Sequence, residues 1–494
     1  VDFGNLVTST IRRCKPNVTV AHQSYEFTGD WLFGASVELA DVTDWLSSDM
    51  YGDRLNLSFY GKLFYSLSNH KPYEHLNGWC YPNIHEHVVQ RTEPYMRAIA
   101  FTDIMNHGAP ATIDAIDPLG TLNRDRYVRV AKIMHDIELY EPHIGGNPQQ
   151  DVAIYYSYDA LFDMADNGKP MIQALYNFQP GKDFGSPSAH RNGALATAHH
   201  LMDHNLPFSV ITRKNLAELN RYQIVILPNM VIIHPDEIAA FRAYVEGGGS
   251  LYLSKQTSLV DYEGHLQGNF LLSDLAGVNY LGKTSELLTY VAPVADCASL
   301  FEPFNAQYPV TLRSTQIKVK VHPGTRTIAT VTLPYTDPRG TPFAAILTDP
   351  PGSPTDYPAV VLNHYGKGKV LYAAGPLEIW DYDSQVQVFR NLLGLLQTRP
   401  FAFESDAPKP VEITLFDQPE RSRFTVNLIN FPPDLPPVPV SDIHVRVWLN
   451  GRTPARLVEL PGAEELLYTV RDGSAEFIAP RLDSYLMLAL EYRS

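Results

Sequence analysis

Four carboxylates stand where chemistry would need them. Asp49 closes the stretch SSDMYGD, Asp114 and Asp117 lie together in APATIDAIDPLG, and Glu38 stands in SVELAD. Read as alternating strands and helices, the chain puts the three aspartates at the carboxyl ends of strands and Glu38 in a loop. Paired carboxyl groups at such ends can serve as general acid and base if one is desolvated enough to keep its proton near neutral pH. His22, ending NVTVAHQ, can hydrogen-bond a ligand hydroxyl, and Trp45 and Trp79 can lay a ring against an apolar ligand face. Ordinary roles compete with each of these. Asp49 with Gly52 and Asp53, and Asp117 with Pro118, also read as turn residues. Glu38 also reads as a solvated loop charge, and a histidine at a strand end is commonly structural.

Metal and phosphate chemistry have weaker support. His85, Glu86 and His87 put two imidazoles on one side of an extended chain, but zinc takes three or four ligands and no third is near in sequence. HHLMDH spaces His200 and His204 four apart without the glutamate of a metalloprotease helix, and reads as surface. VEGGGS lacks the Gly-Lys-Ser/Thr ending of a phosphate loop, and its glycines read as a helix stop before a strand. Neither a metal nor a cofactor is expected.

The elements that must position the carboxylates repeat. NVTVAHQ, DWLSSDMY, KPYEHLNGW and APATIDAID are strand candidates. Three helical patterns follow the last three, marked by Tyr60, Leu63, Phe64 and Leu67, then by Met96, Ile99 and Ala100, then by Tyr127, Val130, Ile133, Met134 and Ile137. An amphipathic helix with Phe3, Leu6, Val7 and Ile11 on one face precedes them. Asn123 or Asp125 caps the last helix, which stops before Pro142. Repeated βα units predict a parallel sheet with its chemistry at the strand ends. A second α/β region follows, with strands DVAIYYS, FSVITR and YQIVILPNM and a helix that starts at Pro235 and ends at glycine. Residues 278–360 are β-rich, and a hairpin turns at Gly366–Gly368. From about residue 402, VEITLFDQ, RFTVNLINF, HVRVWLNG and YLMLALEYR alternate as sandwich strands do.

The 494 residues predict several domains. A net charge of -15 disfavours nucleic acid and anionic membranes as partners, and no apolar run is long enough to span a bilayer. The first residue is Val1, and no signal peptide is visible in the sequence. Three widely spaced cysteines, Cys14, Cys80 and Cys297, favour a reducing compartment, so a cytoplasmic location is expected.

Residues 151–277 resemble the β-galactosidase trimerisation domain. DVAIYYS, YQIVILPNMVIIHPDEIAAFRAYVEGGGSLYLS and LLSDLAGV carry the likeness. Residues 1–148 resemble a glycosyl hydrolase family of α-L-fucosidase type, through IRRCKPNVTV, NGW and DAIDPLGTLNRDRYVRVAKIMHDIELYEP. The fold class implied is α/β: the C-terminal part of a (β/α)8 barrel over 1–148, a glutaminase-like (flavodoxin-like) α/β domain over 149–400, and an all-β sandwich over 401–494. A full barrel has eight βα units and about four precede residue 148. The resemblance therefore implies a fragment whose nucleophile lies upstream of Val1.

The resemblance also implies roles. A retaining glycoside hydrolase uses two carboxyl groups and no cofactor. Glu38 and Asp49 are the catalytic candidates, and Asp49 is alternatively a ligand for a sugar hydroxyl. His22, Trp79, Asp114 and Asp117 are the substrate-binding candidates. Trp79 and Tyr81 would wall in the methyl group of L-fucose, which favours an α-L-fucoside over a β-galactoside. The trimerisation-like domain lacks a nucleophile and implies a homo-oligomer. The competing expectations are a β-galactosidase and a non-catalytic carbohydrate-binding or assembly protein.

Overall fold

The computed structural model describes residues 1–29, 34–80, 88–115, 118–162, 188–336 and 349–493. Helix α1 covers Asp2–Cys14. Strands β1 (Ser47–Asp49), β2 (Tyr73–Gly78) and β3 (Gly108–Ile113) form a parallel sheet in sequential order. Between and after them run α2 (Arg54–Leu67), α3 (Glu93–Ile104) and α4 (Arg124–Glu138). Each begins with a side-chain cap, and that of α4 is Asn123, as the sequence predicts. Asp53 accepts from the Asn56 N–H, Thr92 from that of Tyr95, and Asn123 from that of Arg126.

Two expectations change here. NVTVAHQ is not a ladder strand, and only Gln23 bridges to Ser47. Asp44 takes the Val20 N–H at 2.7 Å and Thr43 takes that of His22 at 3.2 Å, so side chains hold donors a strand would have used. The apolar face of α1 is not packed: Phe3 is 78% exposed, and Thr8 is the helix's buried residue.

A nine-stranded sheet dominates the middle of the chain. Its parallel part contains β4 (Val152–Tyr155), β5 (Phe208–Ile211), β6 (Ile224–Leu227), β7 (Ser250–Ser254) and β8 (Gly368–Ala373), in the spatial order β5-β4-β6-β7-β8. That is the flavodoxin-like order. Strands 351–365, 326–334, 289–293 and 310–312 extend it antiparallel beyond β8. Helix α5 (Ala189–Asp203) follows β4, and α6 (Pro235–Gly247) follows β6. Gly248, with φ at +118°, ends α6 as the glycine run predicts. HHLMDH differs from its surface reading. His200 lies buried on α5 with its ring near Phe389, because α5 is covered by the helix Asp383–Gly394 and its neighbours.

The last part is two packed sheets. One holds β9 (Phe403–Ser405), β11 (Ile443–Trp448), β13 (Ser474–Ala479) and β12 (Thr469–Arg471), adjacent in that order. The other contains β10 (Val411–Gln418), and its edge strand is Asn147–Pro148 from the connection out of the first unit. Lys62 on α2 ties these parts together. It bonds Glu412 on β10 at 2.7 Å, Ser58 at 2.6 Å and Asn106 at 3.1 Å, and lies over the Phe208 ring on β5.

The β2–α3 contact contains a buried imidazole. His75 Nδ1 lies 2.8 Å from Asp103 on α3, and Nε2 lies 2.7 Å from the Met50 carbonyl. Burial pulls the His75 pKa down, but the Asp103 charge and the two hydrogen bonds outweigh it, and the net direction is up. Burial pushes the Asp103 carboxyl up as well, so the folded pair holds a proton more tightly than the unfolded chain does. A raised folded-state pKa contributes stability in full below the ordinary histidine value, and that stability is lost as pH rises through the folded value. His75→Gln is therefore expected to lower the urea midpoint more at pH 6 than at pH 9. A penalty that does not change with pH would show the ring to be neutral.

Candidate functional site

Asp49 ends β1 half-buried, at the carboxyl edge of the parallel sheet. Tyr51 Oη donates to it at 2.8 Å, and Gln23 Nε2 donates to its other oxygen. The 3-10 turn Tyr25–Thr28 follows Gln23, and the carboxyl edge gathers Gln23, Asp49 and Tyr51, with Tyr25 near enough to feel the Asp49 charge. Burial, then the Asp49 charge, raises the Tyr25 pKa, while Arg191 of α5 lowers it. Burial and the hydrogen bond to Asp49 raise that of Tyr51.

Glu26 is the residue that reading the sequence missed. Burial raises its carboxyl, opposed by its own backbone N–H and by His22. A carboxyl group pushed up by burial keeps its proton to a higher pH than a solvated one, the direction that a proton donor to a leaving oxygen needs. Its signal in the sequence was its place three residues after Gln23, in HQSYEFT. The loop setting, with no periodicity, hid it.

The other candidates are dispersed. His22 Nε2 lies 2.8 Å from Thr8 Oγ1, so the ring fastens α1 to the segment before β1. Glu38 sits in the 3-10 turn Val37–Asp41. A hydrogen bond from Ser36 lowers its pKa, the reverse of what a general acid needs. It lines a cavity of about 150 Å³ with Tyr158, Asp159, Arg213, His234 and Glu237, at the carboxyl ends of β4 and β5. Asp114 is engaged by Arg126 of α4 in a buried ion pair, with Cys80 Sγ 3.8 Å away. The pair ties β3 to α4 through Oδ1, while Oδ2 is buried without a hydrogen-bond partner. Asp117 lies outside the described residues, as do Tyr81, His85, Glu86 and His87.

Trp79 is corrected most clearly. Its side chain is 1% exposed and belongs to the core, with Nε1 3.3 Å from Gln90 Oε1. A ring enclosed by β2, α3 and α4 cannot offer a face to a sugar. Trp79→Ala is expected to cost about 3–5 kcal/mol of stability through the cavity it leaves. Thermal melting measures this. A variant as stable as the parent but weaker on substrate would restore the sugar contact.

Among the described residues, no group of three or more histidine, cysteine or acidic side chains is arranged to hold a metal ion, and no helix is long and apolar enough to cross a membrane. At the end of β7, where a nucleophile elbow would stand, the chain has Lys255 with φ at +52°. Cys297 is buried in the turn Ala295–Phe301, away from that position in sequence.

The family model of the β-galactosidase trimerisation domain matches residues 150–397. Among solved structures, the chain is similar to α-L-fucosidase isoenzyme 2 from Paenibacillus thiaminolyticus, at 15% identity and a TM-score of 0.77, over 100% of this chain and 71% of that one. It is similar to the cold-adapted β-galactosidase from Rahnella sp. R3, at 16% identity and a TM-score of 0.67, over 99% of this chain and 66% of that one. It is also similar to β-galactosidase from Bacillus circulans sp. alkalophilus, at 13% identity and a TM-score of 0.66, over 98% and 65%. At these identities the likeness is one of fold. The chain spans about two thirds of the two β-galactosidases it matches and 71% of the fucosidase. No curated protein sequence matches it.

Proposed function

Because the chain belongs to the β-galactosidase trimerisation domain family, we propose that it forms part of a retaining glycoside hydrolase acting on α-L-fucosides. Residues 1–148 act as the C-terminal half of the catalytic barrel and 149–400 as the assembling domain, with 401–494 as a sandwich. The reading rests on Asp49 at the carboxyl edge of the parallel sheet and on Glu26 in the turn that follows Gln23, the residue that bonds Asp49. Glu26, raised by burial, is the general acid. It protonates the glycosidic oxygen as the bond to the anomeric carbon breaks. Asp49, oriented by Tyr51 and Gln23, accepts a hydrogen bond from a sugar hydroxyl. The nucleophile of the two-carboxylate mechanism is left unassigned.

The similarity to a fucosidase over the whole chain supports fucose. The wall once expected from Trp79 does not, since that ring is buried. The second reading is a β-galactosidase, supported by the matched family and by the two galactosidase folds. Rates of the natural protein on aryl α-L-fucosides and aryl β-D-galactosides separate the two. The fucoside is expected to be the better substrate by kcat/KM, and faster galactoside turnover overturns the choice of sugar. A closed, symmetric oligomer, a trimer by family, is expected in light scattering. A monomer at micromolar concentration would remove that part of the reading.

A further inference from the structure

A cleft of about 860 Å³ opens on the sheet of β9, β11, β13 and β12. Strand register sets Glu404 opposite Arg446, and Arg446 opposite Glu476, so the three side chains make one row across the sheet. The Arg446 guanidinium is 3.5 Å from each carboxylate, a loose ion pair on both sides. Its Nε, the atom that faces Glu476, is buried and forms no hydrogen bond at that separation. Asp406, His444, Glu465 and Tyr468 also line the cleft. Its walls are apolar: Ile478 is 51% exposed, and Leu467, at the tip of the segment between 464–466 and β12, is 94% exposed.

We propose that this cleft is an accessory binding site for a neutral, hydroxyl-rich oligosaccharide, a reading that deepens the glycosidase assignment and rests on it. Sugar hydroxyls both donate and accept. The row supplies acceptors at Glu404 and Glu476 and donors at Arg446, about 4.8 Å apart as neighbouring strands are. Glu404, Asp406, Glu465 and Glu476 outnumber Arg446, so the lining is acidic, turns away anionic ligands and offers its acceptors to the hydroxyls of a neutral one. The C–H faces of a pyranose need apolar surface, which Leu467, Ile478 and the Tyr468 ring provide. The volume falls in the range of roughly 300–1,000 Å³ typical of small-ligand sites. The concave form suits a chain of a few sugars better than the broad face of a protein partner.

Affinity electrophoresis of the full chain in gels containing soluble galactan, or a fucosylated xyloglucan, tests the site. Retardation is expected in at least one gel. Arg446→Ala should weaken it at least tenfold. Leu467→Ser, on an exposed tip that the core does not need, should weaken it as well. Glu26→Gln should leave it intact, because holding a glycan requires no hydrolysis. Absence of retardation in both gels, or equal retardation of the Arg446 and Leu467 variants, overturns the proposal. So does self-association that Leu467→Asp abolishes, which would make the cleft a contact between copies. Binding without any glycosidase activity would instead count against the catalytic reading and leave this site standing.

Discussion

Lys62→Met is expected to destabilise the protein by about 3–5 kcal/mol, the cost of leaving a buried charge without its partner. The side chains of Lys62 and Glu412 are 4% and 3% exposed, and they meet at 2.7 Å across 350 residues of sequence. Glu412 Oε1 also accepts from Ser58 at 2.5 Å, while its Oε2 is buried without a partner. Removing the ammonium would strand a carboxylate already short of donors. Because Lys62 also touches Asn106 and Phe208, the loss should loosen α2 from the sandwich and from β5 together. Thermal melting should show a lower transition, and limited proteolysis should cut earlier near residues 145–150 and 399–410. The double variant Lys62→Met/Glu412→Leu should recover most of the loss, since an apolar pair needs no desolvation of charge. If the double variant is no better than the single, the ion pair is not what joins these parts.

The second large effect concerns catalysis. Glu26→Gln is expected to lower kcat of the natural protein on aryl glycosides by about 10²–10⁴-fold, the usual contribution of a positioned proton donor. The loss should be much smaller for a dinitrophenyl leaving group, which departs with little protonation. The pH dependence has a definite sign. The acid must be protonated, so activity falls as pH rises through the raised Glu26 value, and this alkaline limb should vanish in the Gln variant. An equal loss for good and poor leaving groups, or an unchanged alkaline limb, would remove Glu26 from the acid role and leave only its packing in the Tyr25–Thr28 turn.

Much of the architecture was legible in the residues. The apolar spacing of Tyr60, Leu63, Phe64 and Leu67 marked α2, and Asn123 marked a helix start that the structure confirms, while Asp53, read as a turn residue, caps α2. The helix between Pro235 and Gly248 was framed by the two residue types that start and stop helices. These features are local: periodicity and capping act within a turn or two of helix, so a linear reading can see them. Asp49 at a strand end was equally visible, because strand ends follow from the same patterns.

Other features were settled only by the tertiary structure. Trp79 was identified as a large aromatic near a strand end, but whether its ring met ligand or core depended on α3 and α4 closing over it. Asp114 was a strand-end carboxylate until Arg126, on the following helix, neutralised it. Glu38 and Glu26 are the same residue type in similar loops. One has its pKa lowered by a serine hydroxyl and the other raised by burial. Desolvation and ion pairing depend on atoms brought within a few ångströms from distant parts of the chain, and a one-dimensional pattern contains no such distance. Lys62 and Glu412 are the extreme case: each residue alone is an ordinary surface type, and only the docking of α2 on β10 makes them one buried pair.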